Sequence, residues 1–205
     1  MTFVFLHAFP LDGRMWQSSL DLWPDAYAPT LYGLGETMTT WASRVLAAAP
    51  RGPLTLVGCS MGGSCALEVT RLAPDRVRAL VLVGAKAAVR HDPPERKRLR
   101  RALRDRGVEA MWDEIAPVPP IAKELAADRT LDELLRGVDA FHMRPDASGV
   151  LAAFDGPVHV VMGEHDHLGA RKIPVGEYHL VPDAGHYVNL DQPDWFDGLL
   201  REVAS

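Results

Sequence analysis

Thiol chemistry is nearly absent from this 205-residue chain, which carries only two cysteines, Cys59 and Cys65, in one short segment. That usage gives no basis for a disulfide framework and fits a reducing cytoplasm. A surplus of basic charge is also lacking. The 22 Lys and Arg against 27 Asp and Glu leave a net charge of -5, which removes any global electrostatic case for nucleic acid. No apolar run approaches the roughly 18 residues that span a bilayer, so no membrane partner is expected. The opening MTFVFLHAFP has neither a basic segment ahead of its apolar residues nor a small-residue cleavage site, and reads as a strand rather than a signal peptide. Internal repeats and low-complexity tracts are missing as well. What is present is 47% apolar and 24% charged residues, enough for one domain with a full core.

Short runs rich in Val and Leu mark buried strands at Phe3 to Leu6, Leu54 to Val57, Ala79 to Val83 and Val158 to Met162. Weaker strands are expected at Tyr27 to Leu31 and Glu177 to Val181. Pro29 cannot donate to a ladder, so the first of these belongs at a sheet edge. Helical spacing over Thr39 to Ala48 and Gly63 to Leu72 alternates with the strands, arguing for a mostly parallel sheet covered by helices on both faces. From about 91 to 148 the rhythm breaks into short helices: Glu95 to Arg106, Val108 to Ile115, Ile121 to Ala127 and Leu131 to Phe141. Pro117, Pro119 and Pro120 punctuate them. This block reads as an insertion lying over the sheet, within a single domain of residues 1–205.

The segment GCSMG (58–62) fits G-x-S-x-G, with a strand before it and a helix after it. A serine at so tight a turn sits in a strained backbone conformation, and side chains at Gly58 and Gly62 would collide with neighbouring chain. The following helix presents its first amides, so the Met61 N–H can face a developing oxyanion. A hydroxyl needs a base to take its proton, and that base needs a third group to orient it. Later strand ends supply both types. VHVVM runs into GEHD, placing Asp166 past a strand's C-terminal end, and HLV runs into PDAGH, placing His186 similarly. Ser60, Asp166, His186 is the order used by strand–turn–helix serine hydrolases.

HAFP (7–10), GCSMGG (58–63), APDRVRALVLVGA (73–85), GEHD (163–166) and AGHYVNLDQP (184–193) together resemble the α/β-hydrolase superfamily, in its small bacterial esterase and lactonase type. The resemblance covers nearly all of the chain outside the insertion. It implies a three-layer sandwich with a mostly parallel sheet of about six strands, without the family's opening hairpin, under a short helical lid. Ser60 would be the nucleophile, His186 the general base and Asp166 the carboxylate fixing its tautomer. The backbone N–H of Phe9 would join that of Met61 in the oxyanion hole. Two departures stand out: Ala8 replaces the usual glycine, and PTLYGLGET (29–37) lacks the aspartate of the family's Asp-x-x-Gly-x-Gly stretch. Serine as nucleophile points to acyl transfer on a small ester, thioester or lactone, with no metal and no cofactor. The alternatives from the same triad are a carrier-protein-dependent methyl esterase, a perhydrolase, and a C–C hydrolase or lyase. A catalytically quiet binding protein on this fold is a further one.

Other residues carry plainer expectations. Cys59 reads as a small buried residue, and Glu164, His165 and His167 as loop residues rather than a zinc site, since consecutive ligands give poor tetrahedral geometry. His7 is expected to brace the oxyanion loop, and Tyr187 and Asn189 to serve local structure after His186. The run ERKRLRRALRDR (95–106) packs through Leu99 and Leu103, and its basic remainder (Arg98, Arg100, Arg101, Arg104) could dock an anionic partner. Met111, Trp112, Ile115, Phe141 and Met143, with Phe9 and Met61, could line an acyl pocket or pack the insertion.

Overall fold

Strands rich in Val and Leu pair side by side when helices can cover both faces, and the computed structural model, which describes residues 2–89, 91–169 and 175–205, is built that way. β1 (Thr2–Leu6), β2 (Leu54–Cys59), β3 (Val77–Val83), β4 (Val158–Gly163) and β5 (Glu177–Val181) lie next to one another in chain order. All four pairings are parallel.

The two-residue period of a strand sorts these side chains into two cores. Phe3, Phe5, Val57, Val81, Val83 and Val161 face one way. Val4, Leu6, Leu56, Leu80, Leu82 and Val160 face the other. Over the second face lie α2 (Met38–Ala48), through Trp41 and Val45, and α3 (Met61–Leu72), through Cys65 and Val69. The first face is closed by Met15 and Trp16, just before α1 (Gln17–Leu22), and by the C-terminal helix described below.

Between β3 and β4 runs a helical block: α4 (Pro93–Arg106), α5 (Trp112–Ile115), α6 (Pro120–Ala126), α7 (Leu131–His142) and α8 (Ser148–Ala152). Proline at the first turn starts α4 and α6, where its missing N–H has no intrahelical partner to lose. A capping box between Thr130 and Glu133 starts α7. After β5 come α9 (Val188–Asp191) and α10 (Pro193–Ala204), whose Phe196 and Leu200 complete the first core.

Two expectations need correction. The sheet holds five strands among the described residues, not about six, because Tyr27 to Leu31 does not form a strand. Only Tyr27 pairs, in a single bridge to Val4, and the chain then turns into a 3-10 turn at Leu31–Leu34. Proline at 29 removes the next ladder donor, which stops the pairing after one residue. The helix expected over Val108 to Ile115 is instead a 3-10 turn, Gly107–Met111, running into α5. Among the described residues, no helix is long and apolar enough to cross a membrane.

Candidate active site

The carboxyl ends of β2, β3 and β4, with the loops after β1 and β5, converge on one cavity of about 280 Å³. Ser60 stands between β2 and α3 with φ 51° and ψ -110°, a left-handed conformation that a side-chain-bearing residue adopts at a cost of about 1–3 kcal/mol. Surrounding bonds hold it there. Its N–H donates to the Val83 carbonyl at 2.8 Å, and its own carbonyl accepts from Ser64 at 3.2 Å. The turn closes only because its neighbours lack side chains. A Cβ on Gly58 would lie 2.6 Å from the Gly62 carbonyl carbon and the Gly63 Cα, and one on Gly62 would strike the Leu6 carbonyl.

His186 and Asp166 are both buried, and His186 Nδ1 lies 2.9 Å from Asp166 Oδ2. The other carboxylate oxygen, Oδ1, accepts the Leu168 and Gly169 amides at 2.8 and 3.1 Å. Burial pushes the Asp166 carboxyl up. The His186 hydrogen bond and charge and the two amides outweigh it and hold the group below the usual carboxylate range. An ionised Asp166 accepts the Nδ1 proton, which leaves Nε2 as the ring's free lone pair. Ser60 and His186 line the same cavity. The Ser60 hydroxyl itself is in no hydrogen bond among the described residues.

Two backbone amides border this space. Met61 opens α3, where helix geometry gives its N–H no partner. Phe9 lies on the loop after β1, and its N–H is likewise unbonded among the described residues. That loop is tied down from several sides. His7 Nε2 accepts the Leu31 amide at 2.8 Å, so its Nδ1 carries the proton and donates to the Ala8 carbonyl at 3.0 Å. Burial lowers the pKa of His7 to about 4, which keeps the ring neutral. The Ala8 amide points to Met15 Sδ at 3.2 Å.

Several contributors do more than the sequence suggested. Tyr187 is fully buried, and its phenol donates to the Phe9 carbonyl at 3.0 Å. Asn189 Nδ2 donates to the Met15 carbonyl at 2.7 Å. Both residues therefore tie the His186 loop to the loop after β1, beyond the local role expected of them. Gly84, at the end of β3 with φ 55°, backs onto the His186–Asp166 pair, and a Cβ there would sit 2.9 Å from Asp166 Oδ2 and from His186 Nδ1 and Cε1.

The helical block forms the far wall with Leu99, Met111, Ile115, Val138 and Phe141. Trp112 is buried away from the cavity, and Met143 is 64% exposed. Charge in the wall is largely compensated: Glu95 and Glu114 share the Arg98 guanidinium at 2.6 and 2.8 Å. Lys86, also lining, is in no salt bridge among the described residues. Elsewhere on α4, Arg100 pairs with Asp139, Arg101 with Asp105 at 3.6 Å and Arg106 with Asp113 at 2.9 Å. Arg104, Arg96 and Lys97 have no carboxylate partner among the described residues. His165 and Glu164 lie in an exposed cluster with Asp183, whereas His167 Nε2 is 3.2 Å from the Glu114 carbonyl.

A sequence model of the alpha/beta hydrolase family matches residues 3–198. The solved structure of a thermophilic esterase from Thermogutta terrifontis superposes with a TM-score of 0.83 at 25% identity, covering all of this chain and 89% of that one. An esterase from Exiguobacterium antarcticum shares the fold with a TM-score of 0.84 at 20% identity, over all of this chain and 92% of its own. Among curated proteins, 2-succinyl-6-hydroxy-2,4-cyclohexadiene-1-carboxylate synthase of Enterobacter sp. (strain 638) is 27% identical over 98% of this chain and 90% of its length.

Proposed function

Since the chain belongs to the alpha/beta hydrolase family, we propose that it is a serine hydrolase cleaving a small carboxylic ester, thioester or lactone through an acyl-enzyme on Ser60. The carrying observation is the buried His186–Asp166 hydrogen bond of 2.9 Å at the cavity that Ser60 also lines, with Ser60 held at positive φ. With Asp166 fixing the tautomer, His186 Nε2 takes the Ser60 proton once the hydroxyl rotates onto it over a bound ester. Ser60 Oγ then attacks the carbonyl carbon, and the Met61 and Phe9 amides receive the oxyanion. His186 returns its proton to the leaving alcohol, thiol or ring oxygen, and a water activated by the same nitrogen releases the acid. No step calls for a metal or a cofactor. The helices of residues 91–148 act as a lid supplying the apolar wall, and two buried free thiols support a reducing compartment, the cytoplasm.

The wall favours an uncharged acyl group. Glu95 and Glu114 share the Arg98 guanidinium, which with Lys86 balances their two charges, and the remaining lining is mostly apolar. A second reading, lyase chemistry from the same triad, draws on the relative named as a synthase and on Lys86, which has no salt-bridge partner among the described residues. The relative's named compound carries two acid groups, and Lys86 alone is a thin match for them. An acidic carrier would have to meet Arg104, Arg96 and Lys97, since the other α4 arginines are engaged.

Hydrolysis of p-nitrophenyl acetate and butyrate tests the first reading. Wild type turns them over, Ser60→Ala loses roughly a million-fold in kcat, and a fluorophosphonate labels wild type alone. Turnover that survives Ser60→Ala unchanged would sink it.

A further inference from the structure

At the outer edge of the sheet, β4 and β5 pair so that His159 faces Glu177 and Val161 faces His179. The two-residue strand period puts His159, Glu177 and His179 on one face of the sheet, the face that α10 covers. Their reactive atoms converge. His159 Nδ1 and His179 Nε2 are 3.2 Å apart, with the rings stacked at 5.4 Å between centroids. Glu177 Oε2 lies 3.8 Å from the first nitrogen and Oε1 lies 3.9 Å from the second. Trp195 of α10 packs edge-on against His179, 5.9 Å between centroids. Both imidazoles are half-buried, whereas Glu177 is exposed, so the group opens to solvent. None of the three lines the Ser60 cavity.

Two neutral rings at this distance can share one hydrogen bond, but that leaves the converging carboxylate without a role. Ligands of a tetrahedral ion bound at about 2.0–2.1 Å are themselves about 3.3 Å apart. The nitrogen–nitrogen distance already meets that spacing, and rotation of the exposed Glu177 side chain brings one of its oxygens toward both nitrogens. We propose that His159, His179 and Glu177 form a binding site for a borderline divalent transition ion of the Zn²⁺ class, with water in the fourth position. Imidazole and carboxylate suit Zn²⁺ over Mg²⁺ or Ca²⁺, which prefer all-oxygen sets. The ion would clasp β5 to β4 on the open side of the sheet.

The test is Zn²⁺ titration of the full chain near neutral pH against a chromophoric chelator, with metal-free thermal melts confirming that each variant folds. Wild type is expected to bind one equivalent. His159→Gln and His179→Gln should weaken it at least roughly tenfold. His165→Gln, in the other cluster, and His186→Gln, beside Ser60, should leave it unchanged. Co²⁺ in wild type and in His186→Gln should give the same visible bands of a four-coordinate ion, a readout that stands even if a strand variant fails to fold. Binding that follows His165 or His186, bands that vanish with His186→Gln, or equal affinity in wild type and the His159→Gln/His179→Gln double variant would overturn the proposal. The pair would then be an imidazole–imidazole hydrogen bond and nothing more.

Discussion

Gly84→Ala is the sharpest perturbation of the candidate triad, because it adds a single methyl group and removes no functional atom. The new Cβ would stand 2.9 Å from Asp166 Oδ2 and from His186 Nδ1 and Cε1. An ordinary contact is about 3.5–4.0 Å, so the imidazole or carboxylate must yield by about 0.6 Å or more. Backbone retreat is restricted, since the Gly84 N–H is bonded to the Val161 carbonyl at 2.9 Å. Alanine at φ 55° adds about 1–2 kcal/mol of backbone cost. A misplacement of about 1 Å can cost a hundredfold in rate, so the expected loss in kcat/KM is roughly ten- to a hundredfold. The assay is p-nitrophenyl butyrate hydrolysis beside a urea melt. The melt should show only the backbone cost, leaving the protein folded at assay temperature. Wild-type kcat/KM in a folded Gly84→Ala protein would refute the reasoning, because the pair would then not need its present position.

Three further outcomes follow from other contacts. The folded pKa of His7, about 4, lies below the ordinary 6.5 of an unfolded imidazole, so on acidification the unfolded chain takes up this proton first. The His7 contribution is therefore fully present above about pH 6.5 and shrinks as pH falls toward 4, amounting to about 2 kcal/mol lost by pH 5. Urea melts at pH 7 and pH 5 should show that loss in wild type and a smaller one in His7→Gln; equal losses would contradict it. Tyr187→Phe deletes the bond to the Phe9 carbonyl and should cost about 1 kcal/mol of stability. Its kcat should fall with KM nearly unchanged, and a KM effect alone would mean that the Phe9 loop positions substrate instead. Arg98→Met leaves Glu95 and Glu114 facing the cavity without their shared cation. It should slow hydrolysis of an ester with an anionic acyl group several-fold more than that of a neutral ester, as the kcat/KM ratio of the two substrates would report.

The strands could be read from the sequence because both faces of the sheet are covered, so each core strand is an apolar run with little need of context. Tyr27 to Leu31 misled for the same reason: its composition suits a strand, and only the chain's course after Pro29 shows that one residue pairs. Among the short helices, the 3-10 turn that opens at Gly107 gives way to α5 at Trp112 with no glycine or proline to mark the junction. In the site, Ser60 carries a local signature and Asp166 and His186 carry an order along the chain. The groups around them do not. Tyr187 meets Phe9 across 178 residues of sequence, and Gly84 matters only because two other strand ends deliver side chains against it. Glu95 and Arg98 read as members of a charge run until Glu114 arrives from another helix to share the guanidinium.

The single bridge at Tyr27 has a consequence for how this molecule meets its own copies. The Tyr27 carbonyl receives the Phe5 amide at 2.8 Å, and the Tyr27 amide reaches the Phe3 carbonyl at 3.0 Å. One residue thus occupies outward-facing backbone groups of β1 that a foreign strand would use, and the proline two places on leaves an intruder no ladder to extend. Among the described residues the opposite border has no such plug. It ends in β5, where Tyr178 and Leu180 are 45% and 57% exposed and the carboxylate of Glu177 is the local deterrent to stacking. Self-association under stress should begin at that border, and concentrated stocks should be more tolerant of changes near Tyr27 than of any that neutralise Glu177.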